Sequence, residues 1–154
     1  LFGGGQENGF WPGTINVAAV AGFGEAMTLA AQDIDVDCER IALLAGRLES
    51  GLLQAFPGSV RNGAPDARVV HCVNICFAGI KGETLMALLS EAGVAASFGS
   101  ACASMKGKPS HVLTAMGFSA EQARQCVRFG LGRFTTSDEI ENTLRIAENI
   151  AHSS

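Results

Sequence analysis

The chain is short of charge. Of its 154 residues 17% are Asp, Glu, Lys or Arg, while 47% are hydrophobic. That balance excludes disorder and supplies apolar material for one compact core. No apolar run approaches the ~20 residues of a membrane span, so a soluble protein with no membrane partner is expected. The start, Leu1-Phe2-Gly3-Gly4-Gly5, has neither a basic segment nor a long apolar run, so it does not read as a signal peptide. Cytoplasmic location is the expectation. Positive charge is also scarce, with 11 Lys and Arg against 15 Asp and Glu and a net charge of -4, which argues against nucleic acid as a partner. There is no internal repeat and no low-complexity tail.

Cysteine is present, but not in a pattern that staples a fold. Cys38, Cys72, Cys76, Cys102 and Cys126 are odd in number and irregular in spacing, which reads as reduced thiols in a cytosolic protein. On one strand Cys72 and Cys76 would stand about 13 Å apart, and His71 would point to the opposite face, so no metal site is expected. Asp33, Asp35 and Asp37 have the spacing of a calcium loop, but Cys38 stands where that loop needs glycine. Acidic residues there suit the positive N-terminal end of a helix instead. Cys38, Cys72, Cys76 and Cys126 read as small core hydrophobes.

Along the chain, Gly3 to Gly13 reads as loop, with Thr14 or Asn16 able to cap the helix that follows. Val17, Val20, Ala21, Gly24 and Met27 recur at helical spacing. A second helix carries Cys38, Ile41, Ala45, Leu48 and Leu52 on its inner face and ends at Pro57-Gly58. Val60 and Asn62-Gly63 suggest a short strand and a turn. Val69 to Phe77 is apolar on both faces, as in a strand buried on both sides. Glu83 to Ala92 is a helix with Gly93 as its cap; Val94 to Ser97 is a strand. Ser110 opens a short helix, and Ser119 with Gln122 forms a capping box for another. Val127, Phe129 and Leu131 alternate, turning Arg128 to the other face. Thr136 and Glu139 cap a closing helix built on Ile140, Leu144, Ala147 and Ile150. The order is α-α-β-α-β-α-α-β-α, an α/β or α+β sandwich with helices packed on a small sheet.

One stretch points to chemistry. Ser97-Phe98-Gly99-Ser100-Ala101-Cys102-Ala103-Ser104 places a thiol among small residues on a loop, with Lys106 and Lys108 following. Those lysines can favour the thiolate. Ser100, Lys106 and His111 are candidate supports of the loop, and His111 also reads as a cap or packing residue. Arg128 either binds an anion or pairs with a carboxylate such as Glu121 or Glu139. Phe10-Trp11 is either a loop anchor or an adhesive partner surface.

Eight motifs occur in order: Gly3-Gly4-Gly5-Gln6-Glu7, Gly13-Thr14, Val73-Asn74-Ile75, Gly82-Glu83, the cysteine loop, Pro109-Ser110-His111-Val112-Leu113, Arg128-Phe129 and Gly132-Arg133-Phe134-Thr135-Thr136. Together they resemble the C-terminal portion of cysteine desulfurases of the class V aminotransferase family. These are fold-type I pyridoxal-phosphate (PLP) enzymes that supply sulfur for iron–sulfur clusters. The resemblance covers essentially the whole chain. It implies that Cys102 takes sulfur from a PLP-bound substrate cysteine and holds it as a persulfide. It implies that Arg128 grips the substrate carboxylate, which a guanidinium fork suits. It implies that Thr14 reaches a partner subunit's PLP phosphate. Residues 58–154 would be the small C-terminal domain. Residues 1–57 would be a glycine-rich loop and two connecting helices from the edge of the large domain.

The family's PLP lysine follows a histidine upstream of Gly3, and Lys81, Lys106 and Lys108 match no such position. A truncated or split enzyme, inactive alone and binding no PLP by itself, is therefore expected, with an N-terminal large-domain partner and a sulfur acceptor protein. The alternative is a non-catalytic sulfur-accepting or oligomerising module, or a fragment without function. Asn8 and Trp11 stand where the family has arginines, and Phe98, which can anchor the cysteine loop, replaces a small residue usual there. Loss of large-domain cover would expose Val17, Val20, Phe23 and Met27, so a homo-oligomer, a dimer, is expected.

Overall fold

The structure is a computed structural model that describes residues 2–64, 66–98 and 109–153. The residues fall into two compact units, Leu1–Val36 and Asp37–Ser154. The elements are α1 (Val17–Ala55), β1 (Val60–Arg61), β2 (Cys72–Cys76), α2 (Gly82–Glu91), β3 (Ser97–Phe98), α3 (His111–Ala115), α4 (Ala120–Arg124), β4 (Cys126–Gly130) and α5 (Ser137–Ser153). A turn over Gln6–Gly9 precedes them, in which Glu7 and Asn8 take positive φ, 51° and 54°.

The two expected N-terminal helices are one. Asn16 caps α1, its Oδ1 accepting from the Ala19 N–H at 3.1 Å. The Asp33–Asp37 segment lies within the helix rather than starting a new one. No proline interrupts Val17–Ala55, and Asp37 is held by Arg40 one turn on at 3.6 Å and by Arg133 at 3.3 Å. In the first unit the described helical residues are exposed apart from the half-buried Asp33.

In the second unit, Ile41, Ala45, Leu48 and Leu52 of α1 repeat at helical spacing and are buried. The sheet runs β1-β2-β4-β3 and is antiparallel throughout, so the architecture is α+β rather than α/β. Val73 opposes Phe129 and Ile75 opposes Val127 across β2 and β4, forming one apolar face. That face belongs to the main core, with Leu85 and Leu89 of α2 and Ile140, Leu144 and Ala147 of α5. Phe77 stacks edge-on against Phe56 at 5.1 Å and Phe129 at 6.5 Å. α1 and α5 meet closely at Gly51, where an added Cβ would lie 2.5 Å from a Leu144 methyl.

The caps are as the sequence implies. Ser119 and Gln122 form a full capping box, and Thr136 and Glu139 exchange bonds at 2.8 and 3.3 Å. Gly93 takes φ +85° just after α2. The strand expected over Val69–Phe77 is shorter, and Val69 is exposed. It alternates rather than being apolar on both faces: Val73 and Ile75 are buried, while Asn74 between them is half-buried. Cys76 and Cys126 are buried in a smaller cluster with Leu113, Ala123 and Phe118. Cys38 is exposed and Cys72 half-buried, so neither is the core hydrophobe expected of it. Cys38 lies outside the Ile41-Ala45-Leu48-Leu52 stripe.

Candidate functional site

The second face of the sheet carries the site. Side chains directly opposed across antiparallel strands share a face. Asn74 opposes Arg128, and Cys76 opposes Cys126. Arg128 in turn opposes Ser97 of β3. On the other side the Asn62 N–H donates to the Asn74 carbonyl at 2.9 Å, one step beyond the Arg61–Ile75 pair. Asn62, Asn74, Arg128 and Ser97 thus form a row across four chain segments. A cavity of about 300 Å³ opens on this face, lined by Arg128, Asn74, Asn62, Arg68, Cys72 and His111 with apolar residues of α3.

Its two guanidinium groups differ. Arg68 is paired with the buried Glu49, whose Oε2 it meets at 2.6 Å, while Arg61 takes Oε1 at 3.0 Å. The Arg128 side chain makes no ion pair or hydrogen bond among the described residues. Glu139, one suggested partner, is instead engaged with Thr136. Among the described residues the cavity thus offers, in Arg128, an exposed guanidinium without a carboxylate partner beside a mostly apolar lining, which suits a small carboxylate.

Beneath it lies a polar network. Asn62 Nδ2 donates to Asn74 Oδ1 at 2.6 Å and to Cys126 Sγ at 3.2 Å. The Cys126 S–H donates to the Gln122 carbonyl at 3.2 Å. Burial pushes the Cys126 thiol up to about 12; the Asn62 hydrogen bond opposes the rise, and Cys76 alongside adds to it. This thiol is therefore inert as a nucleophile at neutral pH.

Of the site residues expected from sequence, Arg128 and His111 line the same cavity. His111 is not the cap of α3; Ser110 is, accepting from the Leu113 N–H at 3.5 Å. Cys102, Ser100 and Lys106 lie outside the described residues. Phe98 packs its ring over Gly82, where an added Cβ would lie 2.8 Å from the ring. Thr14 is exposed, in the first unit, and is not among the residues lining the cavity. Sequence reasoning missed Asn62, Asn74, Arg68 and Cys72 as site residues. The signal for Asn74 was its place between Val73 and Ile75, a polar residue on the face opposite the apolar one.

PLP needs an amine for its aldehyde, an acid at its ring nitrogen and donors for its phosphate. Among the described residues, the lining of the cavity contains no lysine and no carboxylate. Lys81 is at the N-terminus of α2, outside that lining. The described residues do not by themselves fit the cofactor. No group of three His, Cys, Asp or Glu that could hold a metal ion occurs among them. No helix among them is long and apolar enough to cross a membrane.

This small antiparallel sheet with helices packed against it has clear relatives. The chain matches the Aminotransferase class-V family over residues 4–143, and it belongs to that family. It is 44% identical over 145 residues to a mitochondrial cysteine desulfurase of Arthroderma benhamiae, covering 94% of this chain and 28% of that protein. It is 42% identical over 144 residues to the cysteine desulfurase IscS of Anaeromyxobacter dehalogenans, covering 94% of this chain and 35% of the relative. A solved NifS-like protein from Rickettsia africae superposes with a TM-score of 0.83 at 28% identity, covering 100% of this chain and 39% of the other. The chain thus spans about a third of the length of these relatives, and the part matched is C-terminal. Fold-type I PLP cysteine desulfurases are its structural neighbours over its whole length.

Proposed function

We propose that this chain is the portion of a cysteine desulfurase that grips the substrate carboxylate through Arg128 and receives sulfur on Cys102. The net reaction breaks the C–S bond of L-cysteine and forms an S–S bond at Cys102. L-Cysteine and the Cys102 thiol become L-alanine and the Cys102 persulfide, with no outside oxidant. The observation that supports the reading is the Arg128 guanidinium, which lines the cavity without an ion-pair partner among the described residues. Since the described lining of the cavity has no lysine and no carboxylate, we infer that the PLP-holding region is supplied from outside the described residues. The 154-residue polypeptide alone is inactive, and Thr14 serves the cofactor phosphate only in the complete assembly. A sulfur acceptor protein then takes the persulfide sulfur.

The test combines this chain with a region bearing the PLP lysine, adds L-cysteine, and follows sulfur by mass spectrometry. Wild type gains one sulfur atom on Cys102. Arg128→Gln lowers the rate by about 10- to 100-fold, since a hydrogen bond to a charged group contributes ~1.5–3 kcal/mol. Equal sulfur gain by Cys102→Ser ends the reading.

A second feature favours self-association. Val17, Val20, Phe23 and Met27 recur along one side of α1 and are 72%, 58%, 68% and 57% exposed. We assign the chain a homo-dimer built on that stripe; a monomer by light scattering at micromolar concentration contradicts it. The four described cysteines are free thiols, which suits the reducing cytoplasm.

A further inference from the structure

We propose that Asn62 orients Asn74 so that the Asn74 amide nitrogen and the Arg128 guanidinium together clamp the carboxylate of an α-amino acid. The inference rests on the carboxylate-gripping role proposed for Arg128 and extends it to two residues of the same row.

The argument is one of hydrogen-bond direction. An amide side chain has a donor end and an acceptor end of almost equal shape, so its neighbours decide which end faces a ligand. The sequence of donors begins at the Gln122 carbonyl, which can only accept. It takes the Cys126 S–H at 3.2 Å. With its hydrogen committed, Cys126 Sγ accepts from Asn62 Nδ2 at 3.2 Å. The second hydrogen of that nitrogen goes to Asn74 Oδ1 at 2.6 Å. Asn74 therefore keeps its oxygen on Asn62, and its Nδ2 is the end left for the cavity it lines.

Asn62 is only 7% exposed, and its own Oδ1 is buried without a partner. An orphaned buried acceptor destabilises the fold. It is tolerated here in the orientation that turns a donor toward Arg128. The reverse orientation of both amides would turn the Asn74 oxygen toward Arg128 and give the guanidinium a partner of its own. A protonated Cys126 at neutral pH keeps the relay set in the first sense. Asn74 stands directly across from Arg128 in the ladder, so the two donors share one face and one cavity. Two donors at that spacing suit the two oxygens of a carboxylate.

Asn62 is on this account a positioning residue and Asn74 a binding residue. The experiment is an NMR titration of the 154-residue chain with L-alanine, observing the Asn74 side-chain NH₂ and the Arg128 Nε–H. In wild type both signals shift with one common half-saturation. Asn74→Leu keeps the volume and removes the donor, and weakens L-alanine binding by about 10- to 100-fold. Asn62→Asp reverses the relay, turning the Asn74 oxygen to the cavity, and weakens binding as much although no ligand contact is deleted. L-Alaninamide, which has no carboxylate, binds the variants and wild type alike. If Arg128 shifts and its half-saturation is unchanged in Asn74→Leu and Asn62→Asp, the clamp is wrong and the role of Arg128 stands. If a variant fails to fold, the wild-type titration still decides, because an Asn74 NH₂ that stays still while Arg128 shifts overturns the clamp. If Arg128 itself never shifts, the underlying reading fails and the clamp with it.

Discussion

Above pH 9 this chain loses stability through one buried thiol. Cys126 is 1% exposed and its folded value is pushed from 9.0 to about 12, chiefly by burial. The folded state therefore keeps its proton where the unfolded chain gives it up. Between pH 9 and 12 the unfolded state binds fewer protons, so the free energy of unfolding falls as pH rises. The contribution is fully present below pH 9. By pH 10.5, 1.5 units above the unfolded value, about 2 kcal/mol is gone, since one unit corresponds to ~1.36 kcal/mol. The chain has no tyrosine, and the contribution of Cys126 is read as the difference between wild type and Cys126→Ala. The assay is urea unfolding of wild type and Cys126→Ala at pH 7.5, 9.0 and 10.5. The variant starts lower, having lost the sulfur from the network of Asn62 and Gln122, but its decline on raising the pH is shallower by that ~2 kcal/mol. Parallel declines of the two proteins refute the reasoning.

Other perturbations follow from packing and charge. Gly51→Ala drives a methyl into Leu144, 2.5 Å from its Cδ2, and costs about 1–3 kcal/mol despite better helix propensity. Thermal melting should show this loss, and Leu144→Ala should remove most of the Gly51→Ala increment when the two are combined. Glu49→Gln leaves Arg61 and Arg68 facing each other without their shared carboxylate and costs about 3 kcal/mol in urea unfolding. A loss below 0.5 kcal/mol there would mean that the pair of arginines relaxes into solvent.

Local rules carried much of the fold. The Ser119–Gln122 and Thr136–Glu139 boxes, the glycine after α2 and the alternation of Val127, Phe129 and Leu131 involve neighbours a few residues apart, and each appears where the sequence places it. The same rules misplace a helix start at Asp33–Asp37, because acidic residues look alike at a helix N-terminus and on an exposed helix face. What keeps α1 continuous is partly remote: Asp37 is tied to Arg133 as well as to Arg40. The alternation within β2 was masked by Cys72 and Cys76, which look apolar in sequence yet share a face with Asn74.

The residue order by itself determined which side chains were available for chemistry: a guanidinium on an alternating strand and a thiol among small residues. It did so because side-chain chemistry and strand periodicity are local properties. Only the tertiary structure decided that Asn62, Asn74 and Arg128 form one row and that Arg68 has a carboxylate partner while Arg128 has none among the described residues. Those facts depend on β1 and β4 pairing with opposite edges of β2 and on a glutamate reaching in from α1, and chain entropy lets such distant partners meet only once the sheet has closed around its core.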